Sequence, residues 1–98
     1  MPKELSPSEA EALEQWIADL RTALDSADAD LPLDDMLGLM GRVARGTVRP
    51  AVPPTAYLLG YSVGRAAASG QDQQAALRHA ITTVGALVPD SRQTPEED

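Results

Sequence analysis

Apolar residues recur along this chain at the three- and four-residue spacing that places them on one side of an α-helix. The clearest case follows Ser6-Pro7-Ser8-Glu9, where a serine cap, a proline at the first helical position and a glutamate three residues after the cap form a capping box. We therefore predict a first helix over about residues 7–25, with Trp16 in the core. Its apolar stripe comprises Leu13, Trp16, Ile17, Leu20 and Leu24.

Three further stripes follow, separated by segments typical of connections. The segment Arg49–Pro54 contains three prolines, which lack an amide donor and disfavour helical geometry before them, so it predicts a stiff connector. Gly70 can end the third helix, and Asp72 can cap the fourth. The predicted helices cover about residues 34–45, 55–69 and 73–88. Their stripes are Leu33, Met36, Leu37, Met40 and Val43; Ala56, Leu59, Val63 and Ala67; and Ala76, Leu77, Ala80, Ile81, Val84 and Val88.

These elements predict an all-α fold, a small four-helix bundle-like domain formed by residues 1–88. No segment has the two-residue period of a strand, and no internal repeat is present. A chain of 98 residues corresponds to one domain with a thin core. Residues 89–98 are polar, charged and proline-containing, so we predict a disordered acidic C-terminal tail.

The net charge of −7 is spread unevenly: residues 1–35 carry −8, residues 36–89 carry +4 and residues 90–98 carry −3. This balance argues against nucleic-acid binding, which needs a basic face. Cysteine is absent, so thiolate metal sites and disulfides are excluded. No apolar run approaches the ~20 residues of a membrane span, and the N-terminal region lacks the pattern of a signal peptide. We therefore predict a cytoplasmic protein that binds no membrane.

Three motifs resemble functional sites but fail their own requirements. Gly60–Gly64 fits the G-x-S-x-G pattern of serine hydrolases, yet it lies within a predicted helix instead of after a strand. The aspartates after the first helix do not have the spacing of a calcium loop, because Pro32 and Leu33 occupy its fifth and sixth positions when the loop starts at Asp28. Asp25-Ser26-Ala27 matches the attachment site of acyl carrier proteins but lies at a helix end. We predict no catalytic residue, no metal and no cofactor.

The third helix has more apolar or small surface than a simple bundle position requires. Tyr57, Tyr61 and Gly64 share one face, and the face formed by Leu59 and Val63 is separate from it. Gly60 and Gly64 leave a groove that a neighbouring helix can approach closely. Two interpretations stay open: tight packing inside the monomer, or a homodimer or partner interface on the tyrosine side.

Arg42, Arg45 and Arg49 follow one edge of the second helix and its exit. One interpretation is favourable placement at a helix C-terminus together with pairing to the acidic first helix. The other is a shallow surface for an anion or a partner. No glycine-rich phosphate loop accompanies these arginines, which argues against a dedicated nucleotide pocket.

The chain contains, mainly around the prolines, a set of residues that resembles the signature of a known family. The set comprises Trp16-Ile17, Ala44, Arg49-Pro50-Ala51, Pro53, Thr55, Leu58-Leu59-Gly60 and Gly64. The chain is similar to a family of small bacterial helical domains of unknown function, which occur alone or fused to molybdenum-cofactor guanylyltransferase. The chain departs from the family in its longer acidic first connection and in the glutamine-rich start of its fourth helix.

The resemblance implies a link to molybdenum-cofactor maturation but supplies no catalytic residues. Our leading hypothesis is a non-catalytic accessory or protein-interaction domain, whose partner is a second copy or a molybdenum-cofactor guanylyltransferase. The alternative is a small anionic-ligand-binding or regulatory domain that uses Arg42, Arg45 and Arg49. The candidate surface for a partner or an anion comprises Arg42, Arg45, Arg49, Tyr57, Tyr61 and Gly64.

Overall fold

In the computed structural model, residues 5–89 are described, and they form four α-helices and no strand. The predicted all-α fold with four helices is therefore confirmed. The chain divides into two compact units, Met1–Asp30 with the first helix and Leu31–Asp98 with the other helices. The elements are α1 (Pro7–Ala23), α2 (Leu33–Gly46), a 3₁₀ turn (Arg49–Ala51), α3 (Val52–Ala68) and α4 (Gln73–Leu87). Apart from Pro89, the predicted tail lies outside the described residues.

The first unit begins with the predicted capping box. The Glu9 amide donates to the Ser6 hydroxyl (3.2 Å), and the Ser6 amide donates to the Glu9 carboxylate (2.9 Å). After α1, the Arg21 guanidinium donates to three backbone carbonyls between residues 26 and 29, which fixes the turn that follows the helix. No residue of α1 is buried, and Trp16 is 59% exposed instead of lying in a core.

Helix α3 begins at Val52, three residues before the predicted start. Pro53 and Pro54 therefore lie in its first turn, and only Arg49–Ala51, as a 3₁₀ turn, remain of the predicted stiff connector. The physical reason is that the first amides of a helix have no intrahelical acceptor, so prolines at these positions lose no hydrogen bond. The Thr55 hydroxyl donates to the Ala51 carbonyl (2.7 Å) and closes this turn.

The end of α3 and the start of α4 follow the predicted signals. Gly70 has φ +99°, the left-handed conformation that favours glycine, and its amide donates to the Ala67 carbonyl. The Gln71 amide donates to the Ala66 carbonyl, which completes a Schellman motif. The Asp72 carboxylate then caps α4 by accepting from the Ala75 amide (2.9 Å).

The core of the second unit consists of a few side chains where α2, α3 and α4 meet. The predicted core faces of α3 and α4 are confirmed, and in α2 the predicted Met36, Met40 and Val43 also face the core. The prediction is wrong for Leu37, which is 48% exposed, whereas Leu39 is 3% exposed. Leu37 lies three residues before Met40 and Leu39 lies three residues after Met36, so each has a neighbour at helical spacing and only the packing of α2 decides between them. The buried residues are Leu39, Val43, Leu59, Val63 and Leu77.

None of the helices within residues 5–89 is long and apolar enough to cross a membrane.

Candidate protein-interaction surfaces

The three predicted arginines have different roles in the structure. The Arg42 guanidinium reaches the last turn of α4, where it donates to the Gly85 carbonyl (3.1 Å). Gly85 permits this contact, because a Cβ atom there would lie 3.2 Å from the Arg42 Nη1 atom. The Arg45 side chain lies beside Gly41 on its own helix, and Arg49 is exposed in the 3₁₀ turn. The Arg42 side chain thus links α2 to the negative end of the α4 helix dipole. Anion binding by Arg42, Arg45 and Arg49 stays a prediction.

We expect Arg42→Met to lower the free energy of unfolding by about 1 kcal/mol, because it removes a charge-assisted hydrogen bond at the surface but keeps much of the aliphatic stem. Arg45→Met is the matched control on the same helix and should change stability by less than about 0.5 kcal/mol. Urea denaturation followed by circular dichroism measures both values. Equal effects of the two substitutions would show that Arg42 does not act as a tie.

The predicted tyrosines lie on the outer face of α3 and are exposed to solvent. Tyr57 and Tyr61 are 69% and 55% exposed, and their ring centroids lie 6.4 Å apart. The Arg65 guanidinium lies 5.5 Å from the Tyr61 centroid, within cation–π distance. The tyrosines are therefore neighbours on one helix face, as predicted, and Arg65 extends the row.

Gly60 and Gly64 lie beside these tyrosines, and a Cβ atom built on either would meet no described atom within 4 Å. Glycine in a helix interior costs about 1 kcal/mol relative to alanine. Within the described residues, no close contact compensates for that cost at either position. Tight packing inside the monomer, the first of the two interpretations above, therefore does not explain these glycines.

A second surface, the apolar cleft, lies within the second unit between the end of α2, the first half of α3 and α4. It has a volume of about 450 Å³, within the range of natural binding pockets. Leu58 and Leu87 line it although they are 64% and 78% exposed. The lining residues are Val43, Thr47, Ala51, Thr55, Leu58, Leu59, Ser62, His79, Ala80, Thr83, Val84, Leu87 and Val88.

The polar groups of the cleft are few. The Thr47 and Thr55 hydroxyls donate to backbone carbonyls one turn earlier, so they contribute little polarity to the cleft. Ser62 of the hydrolase-like motif and His79 line the same cleft, but no hydrogen bond between them occurs among residues 5–89 and no acidic residue lines it. The cleft therefore has the chemistry of an apolar binding surface with a small polar edge.

The apolar cleft was not predicted from the sequence, although one signal for it was present. Leu58 and Leu87 are large apolar residues that fall outside the core stripes of their helices. In most proteins, a large apolar residue at such a position is an isolated exposed residue on the surface. Only the structure brings these two leucines to one opening.

The model of the family DUF6457, a domain of unknown function, matches residues 8–96. The chain belongs to this family. The comparison with curated proteins gives no match, and the comparison with solved structures gives none either. The function of this DUF6457 domain is therefore inferred from its own surfaces. Within the described residues, no group of histidine, aspartate and glutamate side chains could hold a metal ion.

Proposed function

We propose that this chain is a non-catalytic protein-interaction domain, and that its apolar cleft accepts the apolar side of a helix from a partner protein. The observation that carries the proposal is the pair of exposed leucines at an apolar cleft of about 450 Å³. Fully burying a leucine side chain contributes roughly 1.5–3 kcal/mol. Because both leucines are mostly exposed in the free domain, burying them against a partner provides free energy for binding.

The dimensions of the cleft favour a helix as the occupant. Thr55 to Ser62 of α3 and His79 to Leu87 of α4 line its two sides, and at 1.5 Å per residue these segments extend about 10–12 Å. That length accommodates two turns of a helix with apolar anchors at the first, fourth or fifth, and eighth positions. The hydroxyl of Ser62 and the imidazole of His79 can then bond to the polar flank of such a helix.

Charge adds a preference for an acidic partner helix. Residues 36–89 carry a net charge of +4, so this part of the chain attracts acidic flanking residues at low salt. The resemblance described above makes a molybdenum-cofactor guanylyltransferase the first partner to test, with both proteins meeting in the bacterial cytoplasm. This choice of partner is an association drawn from the family and is separate from the role of the cleft.

The test measures binding of the purified domain to the purified guanylyltransferase by titration calorimetry. We expect the double substitution Leu58→Glu with Leu87→Glu to weaken binding at least about tenfold, because it places two charges in an apolar contact. Leu37→Glu changes an exposed leucine of α2 outside the cleft and should leave the affinity unchanged. Absence of heat with the unaltered domain would reject this partner, and equal affinity of the double variant would reject the cleft.

A further inference from the structure

We propose that the outer face of α3 is a self-association surface on which two copies of this chain pair with their α3 helices antiparallel. This surface, called the tyrosine face below, consists of Pro53, Tyr57, Gly60, Tyr61, Gly64 and Ala68. At 100° per residue it lies about 160° around α3 from the residues of that helix that line the apolar cleft. The two surfaces can therefore be occupied independently, and this proposal does not depend on the one above.

The tyrosine face has the composition of the centre of an interface. It contains no acidic residue, although the whole chain has a net charge of −7, and Arg65 at its edge is its one charged neighbour on α3. Aromatic residues are enriched and charges are depleted at the centres of interfaces. The Tyr61 ring is already placed between Tyr57 and the Arg65 guanidinium, so ordering it in a complex costs little further conformational entropy.

The spacing of large and small residues makes this face complementary to itself. If a two-fold axis passes between Gly60 and Tyr61, Tyr57 of each copy lies opposite Gly64 of the other. The Tyr57 ring then occupies space beside Gly64, where no Cβ atom exists and where a built Cβ would meet nothing within 4 Å apart from the chain next to Gly64 in its own helix. The two Tyr61 rings meet across the axis, and Gly60 lets the two backbones approach on the other side.

The opposite orientation lacks this fit. Two parallel α3 helices without an axial shift place Tyr57 beside its own counterpart, and Gly64 beside Gly64, which leaves a gap. In the antiparallel pair, the two Arg65 residues lie about 13 Å apart along the helix axis, beyond the Debye length at physiological salt. Repulsion between them is therefore small. Size, charge and register all favour the antiparallel pair.

The available area sets the expected strength. A tyrosine buries roughly 150–250 Å² at an interface, and the two rings are 69% and 55% exposed in the free chain. Even with the flanking residues, each copy contributes less than the roughly 800 Å² of a standard interface. We therefore infer a weak, reversible dimer that forms at chain concentrations on the order of 100 μM.

Sedimentation equilibrium from about 10 μM to about 1 mM tests the dimer. The average mass should rise from 10.4 kDa toward twice that value. Gly64→Leu fills the space opposite Tyr57 while favouring the helix, so it should weaken association at least about tenfold. Gly38→Leu is the matched control, because Gly38 is also an open helical glycine, but on α2. Constant monomer mass of the unaltered chain, or equal association of Gly64→Leu, would overturn the proposal.

A mixing experiment tests the antiparallel register. The variants Tyr57→Lys and Gly64→Glu should each associate more weakly than the unaltered chain. When they are mixed, the new lysine of one chain faces the new glutamate of the other, and the second Tyr57–Gly64 contact of the pair is unchanged. We expect the mixture to regain at least about tenfold in association over either variant alone. No gain on mixing would overturn the register.

Discussion

Replacing Leu39 by alanine should lower the free energy of unfolding by about 3 kcal/mol, the cost of removing a large side chain from a core that closes only partly around the gap. Leu39 is 3% exposed and belongs to a core of five buried residues. A chain of this size has a total stability of roughly 5–15 kcal/mol. The melting temperature should fall by about 12–24 °C, because each kcal/mol corresponds to roughly 4–8 °C in a small domain.

Leu37→Ala is the control for this substitution, since it makes the same chemical change two residues earlier in α2. Leu37 is 48% exposed, so its replacement should cost less than about 1 kcal/mol. Thermal and urea denaturation of both variants measure the contrast. A larger loss from Leu37→Ala than from Leu39→Ala would restore the stripe predicted from the sequence and contradict the packing of α2 seen here.

The positions of the helices could be predicted because their start and stop signals are local. The Ser6–Glu9 capping box, the Asp72 cap and the left-handed Gly70 all act through hydrogen bonds within a few residues. Such signals depend little on the rest of the fold. The start of α3 was misplaced for an equally local reason, because Pro53 and Pro54 are compatible with the first helical turn as well as with a connector.

The place of Leu39 in the core could not be predicted, although the predicted Met36, Met40 and Val43 do face it. Leu37 and Leu39 each have apolar neighbours at helical spacing, and only contact with α3 and α4 selects Leu39. The apolar cleft depends on the same long-range packing, since it forms only when the end of α2 meets two other helices. Periodicity records which residues share a face but not which face meets a neighbour.

The candidate surface was predicted in part. The tyrosine row of α3 follows directly from its four-residue spacing, and the structure shows both rings exposed. The tie between Arg42 and Gly85 was not predicted, because these residues are 43 positions apart in the sequence. Contacts of that separation require knowledge of the topology, and no local pattern supplies it.

Replacing Gly46 by alanine should destabilise the chain by about 2 kcal/mol, although alanine favours the helix at most other positions. A Cβ atom at Gly46 would lie 2.8 Å from the Val88 Cγ1 atom and 2.9 Å from the Pro89 carbonyl oxygen. The valine methyl can move, but the carbonyl belongs to the backbone that follows α4. Gly46 does not have a positive φ, so no left-handed turn requires glycine at this position. The close approach of the segment after α4 explains the glycine instead.

Gly38→Ala separates this steric effect from helix propensity. Gly38 lies in the same helix, and a Cβ atom there would meet nothing within 4 Å, so we expect stabilisation by roughly 0.5–1 kcal/mol. The same chemical change should therefore have opposite signs at two positions eight residues apart. If urea denaturation shows that Gly46→Ala also stabilises, the segment after α4 does not pack against the end of α2. The wall of the apolar cleft formed by Val43, Thr47 and Val88 would then be open, and its proposed occupant would lose that contact.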